Sequence, residues 1–212
     1  MGSTVAENVT SLFLFIDLTG VFLAALLGAV AARRHPDIDI TGVWGLALAA
    51  GVGGGLIRDI LLQRGTPVAL TDVRYLIVVI AAAACGFLYG DRGGVLRRWP
   101  ILVVDALALG NFAVSSTLRT VDSDLGVLTA LLLGVIGATG GGMLRDLLLG
   151  ERPAIFVRGE FNALAALAAS AVVLVGIEVG LHRVLASALG IAVGSTLRLL
   201  SLRFGWRSPG PR

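Results

Sequence analysis

The sequence predicts an all-α integral membrane protein with seven transmembrane helices. These form two inverted three-helix repeats and a seventh helix, with helices 2 and 5 kinked at Gly-Gly-Gly. Three observations lead there. Of the 212 residues, 56% are hydrophobic, and the mean hydropathy of +0.91 exceeds what one water-soluble core could absorb. The apolar residues fall in runs near the ~20 residues that cross a hydrocarbon layer. One motif of ten residues occurs twice, in the second and fifth of those runs. Lipid tolerates apolar side chains all round a helix but no unpaired backbone groups, so the spans are expected to be helical.

In chain order, spans at 12–32, 42–62 and 74–90 make the first repeat, 12–90, within a single membrane domain. Spans at 100–118, 125–149 and 161–177 make the second, 100–177; a seventh span follows at 181–203 and a cytoplasmic tail at 204–212. Glu7 and the lack of a basic segment before the first span argue against a cleaved secretory signal. Arg183 and Arg198 lie near the ends of the seventh span, where long side chains can snorkel to the interface.

All 17 basic residues are arginine, and they lie between the apolar runs instead of forming one patch. That distribution argues against nucleic acid despite a sequence pI of 10.0. With the N-terminus outside, twelve arginines fall on the cytoplasmic side and five opposite, so the positive-inside rule places the C-terminus in the cytoplasm. The absence of lysine beside abundant Arg, Ala and Gly is a coding bias that points to a prokaryotic cell membrane. Cys85 is the single cysteine, His35 and His182 sit at span ends without ligand partners, and no nucleophile stands beside a base. No enzyme chemistry, metal or cofactor is expected.

The repeated motif is Gly53-Gly54-Gly55-Leu-Ile-Arg58-Asp59, followed by Pro67, and Gly140-Gly141-Gly142-Met-Leu-Arg145-Asp146, followed by Pro153. Asp17, Gly20 and Phe22 in the first span likewise resemble Asp105, Gly110 and Phe112 in the fourth. Each unit has an odd number of spans, so the second enters the membrane from the opposite side. Inverted repeats of this kind line solute pathways near the midplane with interrupted helices. Three successive glycines weaken a helix by roughly 1 kcal/mol each relative to alanine, and backbone groups freed in lipid need a wet or protein-lined cavity. The motif therefore predicts a bent or broken helix beside an aqueous path. The alternative is close helix packing, with Gly51 and Gly55, and Gly137 and Gly141, as small-residue faces.

Ionised groups at bilayer depth need a partner or water, which makes them functional candidates. From the topology, Asp17 shares the outer half of the membrane with Arg58 and Asp59, and Asp105 shares the inner half with Arg145 and Asp146. Successive residues diverge by about 100° around a helix, so one of each Arg-Asp pair is expected to face the path while the other holds a neighbouring helix. Between the layers, Thr19, Asn111, Ser115, Ser116 and Thr139 offer oxygens and an amide that can replace part of an ion's hydration shell. The alternatives are buried ion pairs that fix helix register, and hydroxyls bonded to their own helix backbone.

The doubled Gly-Gly-Gly-x-x-Arg-Asp motif, the leading Asp17 and Asp105, and the ending Arg203-Phe204-Gly205-Trp206 together resemble prokaryotic members of the trimeric intracellular cation (TRIC) channel family. The resemblance implies a homotrimer with a potassium- and sodium-permeable pore in each subunit, lined by spans 1, 2, 4 and 5, with membrane lipids around it. Carried onto this chain, the motif positions are Gly53, Gly54, Gly55, Arg58 and Asp59, with Gly140, Gly141, Gly142, Arg145 and Asp146. A secondary transporter of a small solute such as glycine is the alternative, since inverted repeats and broken helices serve both.

Overall fold

Asp39 accepts a hydrogen bond from the Gly42 amide at 2.8 Å and caps the helix that follows. That helix is α2, Ile40–Leu62, and it ends where Gln63 takes a left-handed conformation. The computed structural model describes residues 2–89, 98–157, 159 and 161–206. Gly90, at the end of the third expected span, and residues 207–212 of the expected tail lie outside the described residues. The other helices are α1 (Gly2–Ala32), the single turn α3 (Val68–Thr71), α4 (Val73–Tyr89), α5 (Arg98–Val121), α6 (Val127–Leu148), α7 (Ala163–Glu178) and α8 (Arg183–Phe204). Each expected span falls on one of them, within three residues except where α1 begins earlier.

Among the described residues, five helical segments are long and apolar enough to cross a membrane: Ser11–Ala32, Ile40–Leu62, Trp99–Val121, Val127–Leu148 and Arg183–Phe204. Helices α4 and α7 are apolar but shorter, at 17 and 16 residues. Large side chains such as Leu76 and Ile77 on α4, Leu128 and Leu132 on α6, and Leu185 on α8 point outward, as a lipid-facing surface requires.

Helix α1 packs against α2, α4 and α5, while α2 crosses α6, and α8 packs on both α5 and α7. Small residues set these distances. A Cβ at Gly86 would come within 2.5 Å of the Ala29 Cβ, and one at Gly194 within 2.7 Å of the Ala169 Cβ. At the end of α8, Gly205 adopts a positive φ of 64°, and Trp206 turns back with its amide on the Ser201 carbonyl at 3.1 Å. Ser201 Oγ accepts the Phe161 amide at 2.7 Å and donates to the Trp206 carbonyl, tying this ending to the approach into α7.

Candidate functional site

Asp17 is 1% exposed and accepts three hydrogen bonds: from Tyr75 Oη at 2.6 Å, Ser115 Oγ at 2.7 Å and Arg58 Nη1 at 3.3 Å. Helices α1, α2, α4 and α5 meet at this one carboxylate. Arg58, equally buried, also donates Nε to Asp59 Oδ1 at 2.9 Å. Asp59 accepts the Val68 amide on its other oxygen at 3.0 Å, just after Pro67, and Arg119 Nε lies 3.5 Å from Oδ1. The Phe13 ring faces both guanidinium groups, at 5.5 and 5.1 Å. Two carboxylates thus balance two guanidinium groups, with Asp17, Arg58 and Asp59 buried and Arg119 partly exposed, and such pairing is the condition under which buried charge is tolerated. The expectation that Arg58 and Asp59 point apart is corrected. Their Cβ directions diverge, but the long arginine chain curls back far enough for Nε to reach its neighbour.

The second motif copy makes the same local arrangement. Arg145 donates Nε at 2.9 Å and Nη2 at 2.6 Å to Asp146 Oδ1, and Asp146 Oδ2 accepts the Ala154 amide at 3.1 Å, just after Pro153. Here the two ends of the molecule differ. Asp105 is not paired with Arg145 as expected; it accepts from Arg198 Nε at 3.0 Å. Arg145 is already committed to Asp146, whereas α8 lies close against α5, with Ser195 Oγ donating to the Ala106 carbonyl at 3.0 Å. Arg198 is 7% exposed, buried instead of snorkelling.

Asp105, Arg145 and Arg198 border two adjacent cavities of about 100 and about 240 Å³. The smaller continues inward past Thr139, Gly141, Gly142 and Phe112, and the larger reaches Arg34, His35 and Glu151. One polar layer is therefore sealed and the other is open.

Between the layers α2 crosses α6 at the glycines. A Cβ on Gly54 would overlap the Gly137 carbonyl, and one on Gly141 would overlap that of Ala50. Gly53 faces Leu144 and Gly140 faces Ile57. Both relations are reciprocal, because each residue's counterpart lies 87 positions along the chain. Both helices run unbroken through 53–55 and 140–142, which corrects the expectation of a broken helix. The amides stay in the helical ladder, and the absent side chains are used for backbone approach. Among the described residues a Cβ on Gly142 would meet nothing within 4 Å, and one on Gly55 only Arg58 Nη2, at 3.7 Å.

Of the predicted polar lining, Ser115 joins the sealed cluster. Thr19, Asn111 and Thr139 donate to the carbonyls of Phe15, Leu107 and Val135 in their own helices, at 2.7, 2.8 and 2.8 Å. Thr139 borders the smaller cavity, while Thr19 and Asn111 border neither. The residues missed from sequence are Tyr75, Arg119, Phe13 and the paired role of Arg198. None has a counterpart in the repeated motif, so no internal comparison singles it out.

Residues 14–91 and 102–178 match the family described as glycine transporter. The chain belongs to this family, which is the TRIC family. Relatives named as membrane proteins include one from Streptomyces coelicolor, 40% identical over 93% of this chain and 90% of its own length. One from Deinococcus radiodurans is 34% identical over 74% and 72%, and the Escherichia coli inner membrane protein YadS is 29% identical over 92% and 94%. Among solved structures, the TRIC trimeric intracellular cation channel orthologue from Rhodobacter sphaeroides superposes with a TM-score of 0.83 at 33% identity, covering 92% of this chain and 98% of that one. A prokaryotic TRIC channel in 0.5 M KCl gives 0.82 at 25% identity, covering 92% and 98%. The five membrane-competent segments and the membrane relatives together make this TRIC protein a multi-pass membrane protein.

Proposed function

We propose that this TRIC protein is a cation channel passing potassium and sodium along a path inside each subunit of a homotrimer embedded in membrane lipid. The observation that carries the reading is the pair of polar layers, Asp17 with Arg58 and Asp105 with Arg198, on either side of the α2–α6 crossing. The path enters from the cavities beside Arg34 and Glu151, passes Thr139, Gly141 and Gly142, and is shut at the Asp17 cluster in the arrangement described. Opening it requires Arg58 and Tyr75 to leave Asp17. The solved TRIC structures named as cation channels support this reading.

The architecture proposed is two inverted repeats of three spans, residues 12–90 and 100–177, with α8 as the seventh span and a bend within the continuous ladder at each triple glycine. The reciprocal contacts of Gly54 with Gly137 and of Gly141 with Ala50 support it. The excess of arginine at the cavity end supports an outside N-terminus and a cytoplasmic C-terminus.

Planar-bilayer recording of the purified protein under opposed potassium and chloride gradients tests the function. Unitary currents reversing at the potassium potential are expected, and reversal at the chloride potential or absence of current refutes the proposal. A second reading, a carrier of a small solute such as glycine, is favoured by one-sided access: one layer is open while its counterpart is sealed, as alternating access requires. The description of the matched family points the same way.

A further inference from the structure

We propose that the smaller cavity is a binding site for a small zwitterionic amino acid, with Arg198 receiving its carboxylate and Asp105 its ammonium group. The proposal rests on the carrier reading and gives it a place and a ligand class. The observations that carry it are the free donor, the charge balance, the volume and the access.

Arg198 is buried to more than nine-tenths, borders the cavity, and spends only Nε on Asp105; among the described residues its Nη1 meets no acceptor. A buried donor without a partner is costly, and a carboxylate oxygen is its strongest complement. Among the described residues Asp105 is engaged by Arg198 through Oδ2, and its side chain is 31% exposed, so Oδ1 faces a donor entering from the cavity.

The ionised groups on the wall are Asp105, Asp146, Arg145 and Arg198, which sum to zero, so a ligand of net charge is not favoured over one carrying both signs. The uncharged wall is mostly apolar, including Ala50, Ala108, Phe112 and Ala138, with Thr139 and Asn162 as its polar members. The volume of about 100 Å³ is well above the ~10–15 Å³ that a single water needs, which suits a solute of a few heavy atoms.

Access supplies the direction. The larger cavity shares Asp105, Arg145 and Arg198 with the smaller and continues to Arg34 and Glu151, while the Asp17 cluster seals the other end. A zwitterion reaching the site therefore does so from the Arg34 end.

The test is saturable binding of radiolabelled glycine to the full-length protein in nanodiscs, competed by unlabelled glycine, acetate, methylamine and potassium chloride. Glycine is expected to compete best, with acetate and methylamine each weaker by about tenfold or more because each forfeits one charge-assisted contact. This comparison uses the unaltered protein, so it does not depend on any variant folding. Arg198→Gln and Asp105→Asn, checked for helicity and assembly, are each expected to abolish binding.

No saturable binding, acetate competing as well as glycine, or full binding by either folded variant overturns the site. Potassium flux measured on the same preparation separates the readings. Flux without glycine binding removes the site and leaves the channel, whereas glycine binding without flux keeps the site and removes the channel.

Discussion

Alanine placed at Gly141 and at Gly142 separates close packing from flexibility as the purpose of the triple glycine. A Cβ at 141 would overlap the Ala50 carbonyl oxygen and lie 3.5 Å from the Gly54 nitrogen. Both are backbone atoms, so α2 and α6 must separate to admit it. Overpacking of this kind costs about 1–3 kcal/mol, and alanine's helix preference recovers no more than about 1 kcal/mol. Gly141→Ala is therefore expected to destabilise by about 1–2 kcal/mol. Gly54→Ala should behave alike, because it meets Gly137 as Gly141 meets Ala50. At Gly142 nothing lies within 4 Å, so Gly142→Ala should be neutral or stabilising by up to about 1 kcal/mol. Thermal or denaturant unfolding of the purified protein in detergent, followed by circular dichroism, reads all three. Equal destabilisation by Gly141→Ala and Gly142→Ala would refute the packing argument and return the motif to a hinge.

Asp17→Asn leaves Arg58 with half its balancing charge in a dry site, and losing one partner of a buried pair costs about 3–5 kcal/mol. If the cluster is the closed end of the path, liposome potassium efflux should rise even as the unfolding temperature falls; reduced efflux would contradict this. Tyr75→Phe removes one donor from that carboxylate, for about 1.5–3 kcal/mol, and should raise efflux by less than Asp17→Asn does. On the loop before α2, the Thr41 hydroxyl and the Gly42 amide hold the Asp39 carboxyl below its usual value. Its folded-state pKa is depressed, so its contribution is present above the ordinary carboxylate range and lost as pH falls through the lowered value. Asp39→Ala should thus unfold more easily than the parent at neutral pH, and the difference should shrink as pH falls through the lowered value.

The helices were legible because lipid demands long apolar runs: the run at 42–62 gained two residues at its start, and that at 125–149 lost two at its start and one at its end. The doubled motif was legible because each Arg-Asp pair performs the same task twice: a guanidinium on the adjacent carboxylate, and that carboxylate on the amide after a proline. What a repeat cannot disclose is where its copies differ. Arg198 comes from α8, outside both copies, and takes Asp105 from the arginine that symmetry assigned to it. Tyr75 supplies Asp17 with a donor from α4 across 58 positions, which no local spacing encodes. The glycines were expected to bend or break their helices, and the helices run on unbroken, because composition does not distinguish a freed backbone from one pressed against another helix.

The placement of the path is tested most directly by cysteine accessibility, made simple by a chain whose one cysteine, Cys85, can be replaced by alanine. In that background Thr139→Cys, on the wall of the smaller cavity, should react with a cationic methanethiosulfonate reagent applied from the side of Arg34 and Glu151 and lose its potassium current. Phe15→Cys, 72% exposed on the outer face, should keep its current after the same treatment. Current that survives modification at 139, or block that is as strong from position 15, would contradict a path between the repeats.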